Sequence, residues 1–357
     1  MKTEMEARLR AVVPESIMPD FELKYKLDLA AKINQKLART NSVALLHNYM
    51  EPVLYYAVNG IRGDSLELSK QAARTSAGRI LFCGVVFMAE TAKILSPAKR
   101  VIVPSLEAGC SLADGCNAVD VQWYKEKFPN LPVITYVNSY AAVKAETDVC
   151  CTSGNVMRVV EWAKKEFKTK SVIFLPDKYM AGNIARDAGM KLFIPDRQAE
   201  NPAENIDYQN VPTVIGMDAR CYVHEKYRPE NVRQIISTFP DALIIAHPEC
   251  PPDTLDEVFK NGGKSGSTSE MLKTIKEARP GQRIAMMTEC SLADNALAQR
   301  PELGDTLIRM CNQRCKFMKT ATMEDVYTAI VEDRYEITVS EEIRRKAEKS
   351  VRQMLEI

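Results

Sequence analysis

"VALLHNY" (Val43–Tyr49) is an apolar run typical of a buried β-strand, and it ends in a histidine and a tyrosine. The same shape recurs in "VITYVNS" (133–139) and in "LIIAHPE" (243–249). Each run stops at side chains that can donate or accept protons. Three strands of this kind in one chain predict three related structural units.

A cluster of serine and threonine follows each run and opens a pattern typical of a helix. The clusters are "GDSLELS" at Ser65, "CTSGN" at Ser153 and "GSTSEML" at Thr268. Two of them have the spacing of a capping box, which predicts helix starts there. The pairs are Asp64 with Glu67 and Ser267 with Glu270. Because a helix N-terminus favours negative charge, each start is a potential anion site.

Each third of the chain continues with a second strand-then-helix unit and then a segment that contains cysteine. The units are "RILFCGVVFMAETAKIL" (79–95), "SVIFLPDKYMAGNIAR" (171–186) and "RIAMMTECSLADNALAQ" (283–299). Strands that alternate with helices predict parallel sheets whose ligands gather at the carboxyl ends of the strands. We therefore predict an α/β fold of three domains around a shared centre.

The expected domains are residues 1–118, with an N-terminal helical extension, then 119–232, and then 233–357. The last of them is expected to end in a packing helix, "SEEIRRKAEKSVRQMLEI" (340–357). Its apolar side chains fall on one helical face and therefore predict ordinary core packing.

Composition excludes several classes of partner. The chain has 357 residues, 46% of them hydrophobic, which is enough for more than one core. Its 48 Lys+Arg and 47 Asp+Glu nearly balance, without a long block of like charge, so nucleic acid is not an expected partner. The N-terminus lacks the apolar core of a signal peptide, and the longest apolar run, "ILFCGVVFMA", is half a membrane span. We expect a cytoplasmic protein without a membrane partner.

The ten cysteines allow several kinds of chemistry. In the cytosol thiols stay reduced, so metal binding, catalysis or plain burial is favoured over disulfides. Only Cys221 and His224 approach zinc-finger spacing, and "CNQRC" stops at two cysteines where a ferredoxin run needs more. One cysteine from each third could instead hold a four-iron cluster with one open iron. From spacing alone, inert buried thiols remain the alternative.

The chain has only three histidines, His47, His224 and His247. A lone histidine is more often a core or surface residue than a catalytic one. All three lie at predicted strand ends or beside a candidate ligand cysteine, however, and this favours a functional site.

The same segments carry a family resemblance. "HNY", "GDSLELS", "AGCSLAD", "YVNS", "CTSGN", "CYVHEKY", "AHPEC", "GSTSEM" and "CKFMK" occur in this order. Together they resemble the quinolinate synthases of NAD biosynthesis over roughly residues 47–330. The ordered set is specific in a way that no single motif is.

The resemblance implies three α/β/α domains in a pseudo-threefold arrangement around a [4Fe-4S] cluster that three cysteines hold, with one open iron. Carried over motif by motif, the ligands are Cys110 in "AGCSLAD", Cys221 in "CYVH" and Cys315 in "CKFM". Cys311 is the alternative to Cys315 that the spacing does not exclude. The cysteines assigned to no function are Cys116, a bystander, and the buried thiols Cys83, Cys150, Cys151, Cys250 and Cys290.

The resemblance also implies the activity, a condensation of iminoaspartate with dihydroxyacetone phosphate to quinolinate with loss of phosphate and water. The catalytic candidates, which can move protons, are Tyr49, Tyr136, His224 and Glu249. The substrate-binding candidates are His47, Ser65, Tyr136, Asn138, Ser153, His247, Glu249 and Thr268. The hydroxyl groups among them suit carboxylates and phosphate. As alternatives, these serines and threonine are helix caps, the tyrosines pack in the core, and Glu249 is a turn residue.

Two segments depart from the family pattern. Met50 follows Tyr49 where many relatives have a polar residue, often Gln, and the sequence around Glu289 diverges, so Glu289 is not among the predicted site residues. Two other functions fit the same residues: a hydro-lyase with an open-site cluster, and a non-catalytic iron–sulfur or zinc sensor. The expected partners are the two small substrates and the enzyme that oxidises aspartate to supply iminoaspartate.

Overall fold

The computed structural model describes residues 2–310 and 312–357, so Cys311 lies outside the described residues. Three sheets contain the strands of the described chain. The first comprises β1 (Ser42–His47), β2 (Gly60–Gly63), β3 (Arg79–Cys83) and β4 (Arg100–Ile102). The second comprises β5 (Val133–Tyr136), β6 (Val149–Cys151), β7 (Val172–Leu175), β8 (Lys191–Phe193) and β9 (Thr213–Gly216). The third comprises β10 (Leu243–Ala246), β11 (Lys264–Ser265), β12 (Ile284–Met287) and β13 (Leu307–Arg309).

The three sheets share one strand order. The first is ordered β2-β1-β3-β4 and the third β11-β10-β12-β13, while the second is ordered β6-β5-β7-β9-β8 and so adds one edge strand. Neighbouring strands are parallel throughout. Central strands such as β5 and β7 are buried along their whole length, which explains their continuous apolar sequence. The predicted α/β fold with three similar units is confirmed.

Helices cover the sheets. In the first third they are α1 (Lys2–Arg10), α2 (Asp20–Arg39), α3 (Pro52–Ala57), α4 (Ser65–Arg74), α5 (Val86–Leu95) and α6 (Ser111–Asp114). In the middle they are α7 (Ala118–Lys127), α8 (Ala141–Ala145), α9 (Val156–Glu166), α10 (Lys178–Asp187) and α11 (Pro229–Thr238). In the last third they are α12 (Pro252–Lys260), α13 (Thr268–Lys276), α14 (Cys290–Gln299), α15 (Met323–Val331) and α16 (Glu341–Glu356). None of the helices across the described ranges is long and apolar enough to cross a membrane.

Two of the three predicted helix starts are confirmed. Asp64 caps α4 by accepting the N–H of Glu67, and Ser267 and Glu270 form a complete capping box at α13. The third expectation, a helix start at Ser153, is wrong, because α9 begins at Val156 behind Asn155. The side chain of Asn155 accepts the N–H of Thr152 at 2.8 Å, which closes a turn around Ser153 and moves the helix start further along the chain.

The predicted C-terminal helix forms, and it buries Ala347, Val351 and Met354. It packs against α8, α5 and β6, however, and its side chains belong to the core of the middle sheet. By its contacts α16 therefore belongs with the middle unit and not with the third, where the sequence analysis had placed it. The amphipathic pattern shows which face is buried but not which neighbour buries it. The domain boundaries at residues 118 and 232 stay predictions.

The first and third units share one apolar core. Leu45 of β1 and Ile245 of β10 lie in the same buried cluster, together with residues of α2, α14 and α15. Because protein interiors are densely packed, this shared core fixes the strand ends of the two units relative to each other.

Candidate active site

The carboxyl ends of the strands face one cavity of about 70 Å³. The predicted site residues come from equivalent loops of the three units, which follow β1, β5 and β10, then β2, β6 and β11, and then β4, β9 and β13. The first loops supply His47, Tyr49, Tyr136, Asn138, His247 and Glu249; the second supply Ser65, Ser153 and Thr268; the last supply Cys110, Cys221, His224 and Cys315. The structure thus brings every predicted site residue to one cavity, and their individual roles remain predictions.

A hydrogen-bonded relay crosses this cavity. The hydroxyl of Tyr136 donates to Oε1 of Glu249 at 2.6 Å, and Oε2 of that carboxylate lies 2.8 Å from Nδ1 of His224. Nε2 of His224 lies 3.0 Å from the hydroxyl of Thr288, which lies 2.6 Å from the hydroxyl of Tyr49. An ionised carboxylate only accepts, so Nδ1 of His224 donates to Glu249. Tyr136 and His224 therefore both donate to Glu249, and the hydroxyl of Thr288 connects His224 to Tyr49.

Glu249 is the acidic group at the end of this relay. Burial raises its pKa, but the adjacent imidazoles of His224 and His247 and the hydrogen bonds from His224 and Tyr136 lower it by more, so its pKa lies below the usual range. Burial, followed by the charge of Glu249, raises the pKa of Tyr136 and of Tyr49 well above the usual value. At neutral pH the carboxylate is ionised while both phenols keep their protons.

Burial keeps the other two histidines, His247 and His47, neutral. The ring of His247 stacks on that of His224 with centroids 4.5 Å apart, and its Nδ1 accepts the N–H of Glu249 at 3.3 Å. Nδ1 of His47 accepts the N–H of Tyr49 at 3.2 Å. Burial is the largest cause that lowers the pKa of His47 to about 4 and that of His247 to about 3. Since Nδ1 is occupied in both rings, Nε2 carries the proton and can donate to a ligand in the cavity.

The hydroxyl groups predicted to bind anions do not cap helices. Asp64 and Ser267 hold the N-cap positions of α4 and α13, and Ser65 and Thr268 follow as the first helical residues. The alternative in which these two residues are caps is therefore excluded. Thr268 accepts a hydrogen bond from the amide of Asn48 at 3.0 Å, and both hydroxyl-bearing residues line the cavity.

The three cysteines share a local geometry. Each is a free, partly buried thiol at the start of a short helical turn whose backbone N–H groups point at the sulfur. Burial raises the pKa of Cys110 to about 12 and also raises the pKa of Cys221 and Cys315. The thiols also raise one another's pKa, because Cys221 is close to both others and Cys110 is close to Cys315. Backbone donors aimed at each sulfur favour a bound thiolate.

A profile of the quinolinate synthetase A protein family matches residues 31–356. Curated relatives named "Quinolinate synthase" include one from Caulobacter vibrioides (strain NA1000 / CB15N), 37% identical over 99% of this chain and 89% of the relative. "Quinolinate synthase 2" of Mesorhizobium japonicum is 38% identical over 98% of this chain and 96% of its own. "Quinolinate synthase" of Agrobacterium fabrum (strain C58 / ATCC 33970) is 37% identical over 98% of this chain and 90% of its own.

The chain belongs to the quinolinate synthetase A family. The resemblance stated from the sequence is therefore confirmed, and with it the expectation of an enzyme. Both comparisons favour a quinolinate synthase over the hydro-lyase and the sensor that the sequence left open.

In this member of the quinolinate synthetase A family, side chains from other segments hold the loop of Cys315. The hydroxyl of Tyr222 accepts the N–H of Lys316 and hydrogen-bonds to the sulfur of Cys315. Oε1 of Glu289 accepts the N–H of Cys315 at 3.4 Å and pairs with the ammonium of Lys319 at 3.2 Å. Glu289, which the sequence analysis left out because its surroundings diverge, thus lines the cavity and anchors a predicted ligand.

Sequence reasoning missed two other polar residues at strand ends. Thr288 directly follows β12 and joins Tyr49 to His224. Asp177 follows β7, caps α10 with one oxygen, and is fully buried. Burial, followed by the charge of Glu249, raises the pKa of Asp177 well above its usual value. The rule that singled out His47, a polar residue at or shortly after the end of a buried strand, would have found both.

Proposed function

We propose that this chain condenses iminoaspartate with dihydroxyacetone phosphate to quinolinate, with loss of phosphate and water, as a step of NAD biosynthesis. One observation carries the proposal: three cysteines, a proton relay and three hydroxyl-bearing loops meet in one cavity to which every unit of the fold contributes. A sensor of metal or redox state needs the cysteines but has no use for the relay or for the anion sites.

The three cysteines fit a [4Fe-4S] cluster. Their thiols line one cavity and lie close enough to raise one another's pKa, yet Cys110 and Cys315 do not join Cys221 in a group of ligand atoms within 4.8 Å, judged over the described part of the chain. Sulfur ligands of a single tetrahedral ion stand about 3.8 Å apart, so wider spacing suits several bridged irons. Cys110, Cys221 and Cys315 would hold the cluster. When bound, its open iron supplies a Lewis acid for a hydroxyl or carboxylate of the substrate.

The hydroxyl-bearing residues would bind the anionic groups of the two substrates. Iminoaspartate has two carboxylates and dihydroxyacetone phosphate has a phosphate, and each of the three units offers one hydroxyl, from Ser65, Ser153 or Thr268. Ser65 and Thr268 add the N-terminal N–H groups of α4 and α13, which favour negative charge. The neutral histidines His47 and His247 can donate from Nε2 without adding a charge.

Asn138 also has a group that suits a ligand. Its Nδ2 lies 3.5 Å from Oε1 of Glu249, whereas its buried Oδ1 has no hydrogen-bond partner among the described residues. A buried acceptor without a partner costs about 1–3 kcal/mol, so a substrate N–H or O–H that donates to it would be favoured. We therefore assign Asn138 to orientation of the substrate nitrogen or of an enol.

The relay would move the protons that ring closure and dehydration require. A substrate proton accepted by the oxygen of Tyr49 is matched by transfer of the phenol proton to Thr288, then to His224, and finally to Glu249. Tyr136 donates to the other oxygen of the same carboxylate, Oε1 of Glu249. Its hydroxyl can protonate a leaving oxygen of the substrate. The catalytic candidates are thus Tyr49, Tyr136, His224 and Glu249.

We expect this activity in the cytoplasm, where thiols stay reduced, and with iminoaspartate supplied by an enzyme that oxidises aspartate. The test is to reconstitute the cluster without oxygen, supply both substrates and measure quinolinate and phosphate. We expect both products in equal amounts. Dehydration of a simple hydroxy acid, with the triose phosphate untouched, would contradict the proposal and favour a hydro-lyase.

A further inference from the structure

Cys221, His224 and Glu249 place a sulfur, a nitrogen and an oxygen ligand atom within 4.8 Å of one another. All three line the active-site cavity, and His224 and Glu249 are 2% and 3% exposed. Over residues 2–310 and 312–357 this is the one group of three metal-ligating side chains that meets this distance. The cavity therefore holds a second set of ligands, which shares only Cys221 with the three cysteines.

This second set matches a single zinc ion. Zinc binds cysteine sulfur at about 2.3 Å and histidine nitrogen or carboxylate oxygen at about 2.0–2.2 Å, in tetrahedral geometry with ligand atoms about 3.5 Å apart. Nδ1 of His224 and Oε2 of Glu249 are 2.8 Å apart, and the three ligand atoms lie within 4.8 Å of one another, so small side-chain shifts bring them to this spacing. A metal ion would take the place of the proton that these two atoms share.

The surroundings support the ligands in the way that metal sites require. The other ring nitrogen of His224 is hydrogen-bonded to Thr288 at 3.0 Å, and the other oxygen of Glu249 accepts from Tyr136 at 2.6 Å. Such outer partners fix the orientation of ligands and raise metal affinity by about 10–100-fold. Three protein ligands beside a cavity leave the fourth coordination position for a water molecule, as in catalytic zinc sites.

We propose that the protein without its cluster binds one Zn²⁺ through Cys221, His224 and Glu249, and that this ion blocks cluster assembly because both metals need the thiolate of Cys221. The zinc site stands on its own geometry, whereas the blocking effect rests on the proposed cluster ligands. Zinc binds nitrogen, oxygen and sulfur sites more tightly than ferrous ion does, so iron alone does not displace it. The ion also interrupts the proton relay at its centre.

The experiment uses Co²⁺ as a visible substitute for zinc. Metal-free wild-type protein is titrated with Co²⁺ without oxygen, and the thiolate-to-cobalt band in the near ultraviolet is recorded. The intensity of this band grows with the number of cobalt–sulfur bonds, so one thiolate and three thiolates are distinguishable. We expect one Co²⁺ per chain with the intensity of a single thiolate, displaced by one equivalent of Zn²⁺.

Variants then separate the two sets of ligands. Cys315→Ser should lose the cluster but keep cobalt binding, whereas Glu249→Gln and His224→Gln should weaken cobalt binding at least about tenfold but keep the cluster. Cys116→Ser, which alters a buried thiol in a different core, is the matched control and should keep both. Because Glu249→Gln still takes up the cluster, its loss of cobalt affinity cannot come from misfolding.

A competition completes the test. Pre-loading with Zn²⁺ should slow cluster reconstitution in wild-type protein and leave it unchanged in Glu249→Gln. A band with the intensity of three thiolates, or loss of cobalt binding in Cys315→Ser, would place the ion on the three cysteines and overturn the proposal. Failure of wild-type protein to form any cluster would instead contradict the proposed cofactor and leave the cobalt result to decide the zinc site.

Discussion

The hydroxyl of Tyr136 donates to Oε1 of Glu249 at 2.6 Å although 113 residues separate them in the chain. Tyr136 ends a strand of the middle sheet, and Glu249 follows a strand of the third sheet. The bond therefore exists only when two units are docked, and it connects a phenol of high pKa to a carboxylate of low pKa. The active site is a property of the docked units and of none of them alone.

Tyr136→Phe and Glu249→Gln should each lower kcat by about 10²- to 10⁴-fold, the usual effect of losing a group that moves a proton. Neither side chain is a predicted cluster ligand, so the visible spectrum and the iron content should stay at wild-type values. Turnover close to wild type in both variants would return these residues to a packing role.

Thr288→Val should interrupt the relay between Tyr49 and His224 without a change in side-chain volume. We expect kcat to fall about 10- to 100-fold with little change in KM, because the substrate-binding groups stay in place. Thr288→Ser keeps the hydroxyl and should restore most of the activity. An equal loss in the valine and serine variants would show that the methyl group, and not the relay, matters.

Serine substitutions at Cys110, Cys221 and Cys315 should each abolish stable binding of about four irons per chain. Cys116→Ser and Cys290→Ser are the controls, because both thiols are buried outside this set and should leave the iron content unchanged. Cys311→Ala is also expected to keep the cluster. If Cys311→Ala loses iron while Cys315→Ala retains it, the ligand assignment is wrong by four residues.

Tyr222→Phe removes the hydrogen bond to the sulfur of Cys315 and to the N–H of Lys316. Hydrogen bonds to sulfur ligands help to set the reduction potential, so the potential should become more negative and iron should be lost faster in air. Tyr25→Phe, at a side chain that is 51% exposed, is the matched control. The readouts are the potential and the decay of the visible band, and identical values in the two variants would contradict the positioning role.

The metal-free protein should lose stability between about pH 6.5 and pH 4 because His47 is buried in its neutral form. Its pKa falls from 6.5 to about 4 on folding, so the unfolded chain binds the extra proton in this window and stability drops as pH falls. Protonation of His47 in the unfolded chain lowers the free energy of unfolding by about 3 kcal/mol between neutral pH and pH 4. Denaturant unfolding of wild-type protein and of His47→Gln checks this, since the variant should show a shallower fall. Parallel curves would refute the assignment.

The sequence predicts the fold well where one residue pattern decides one local structure. The runs at 43–49, 133–139 and 243–249 are buried parallel strands because residues covered on both faces are apolar throughout. The polar residues at the ends of these runs face the cavity because ligand sites of parallel sheets form at the carboxyl ends of the strands.

The partners of these residues could not be predicted in the same way. The contact between Tyr49 and Thr288 spans 239 residues, and nothing near either residue in the sequence specifies it. At Ser153 the prediction failed for a local reason. The side chain of Asn155 accepts the N–H of Thr152, so residues around Ser153 form a turn and the helix begins later than the local pattern predicted. Glu289 was left out because the sequence around it diverges from the family pattern. Its side-chain carboxylate nevertheless accepts the backbone N–H of Cys315.

The placement of α16 has a consequence for how the protein is made. This helix follows the third sheet in the chain but covers the middle one, where the hydroxyl of Ser350 donates to the carbonyl of Lys144 at 2.8 Å and Asn155 donates to the carbonyl of Met354 at 3.0 Å. During synthesis, the side of the middle unit that α16 covers therefore stays exposed until the third unit and α16 have been synthesised. The cavity, which takes Cys221 from the middle unit and Cys315 from the third, forms only after the third unit has been synthesised. We therefore expect the proposed cluster to assemble only after the chain has been synthesised.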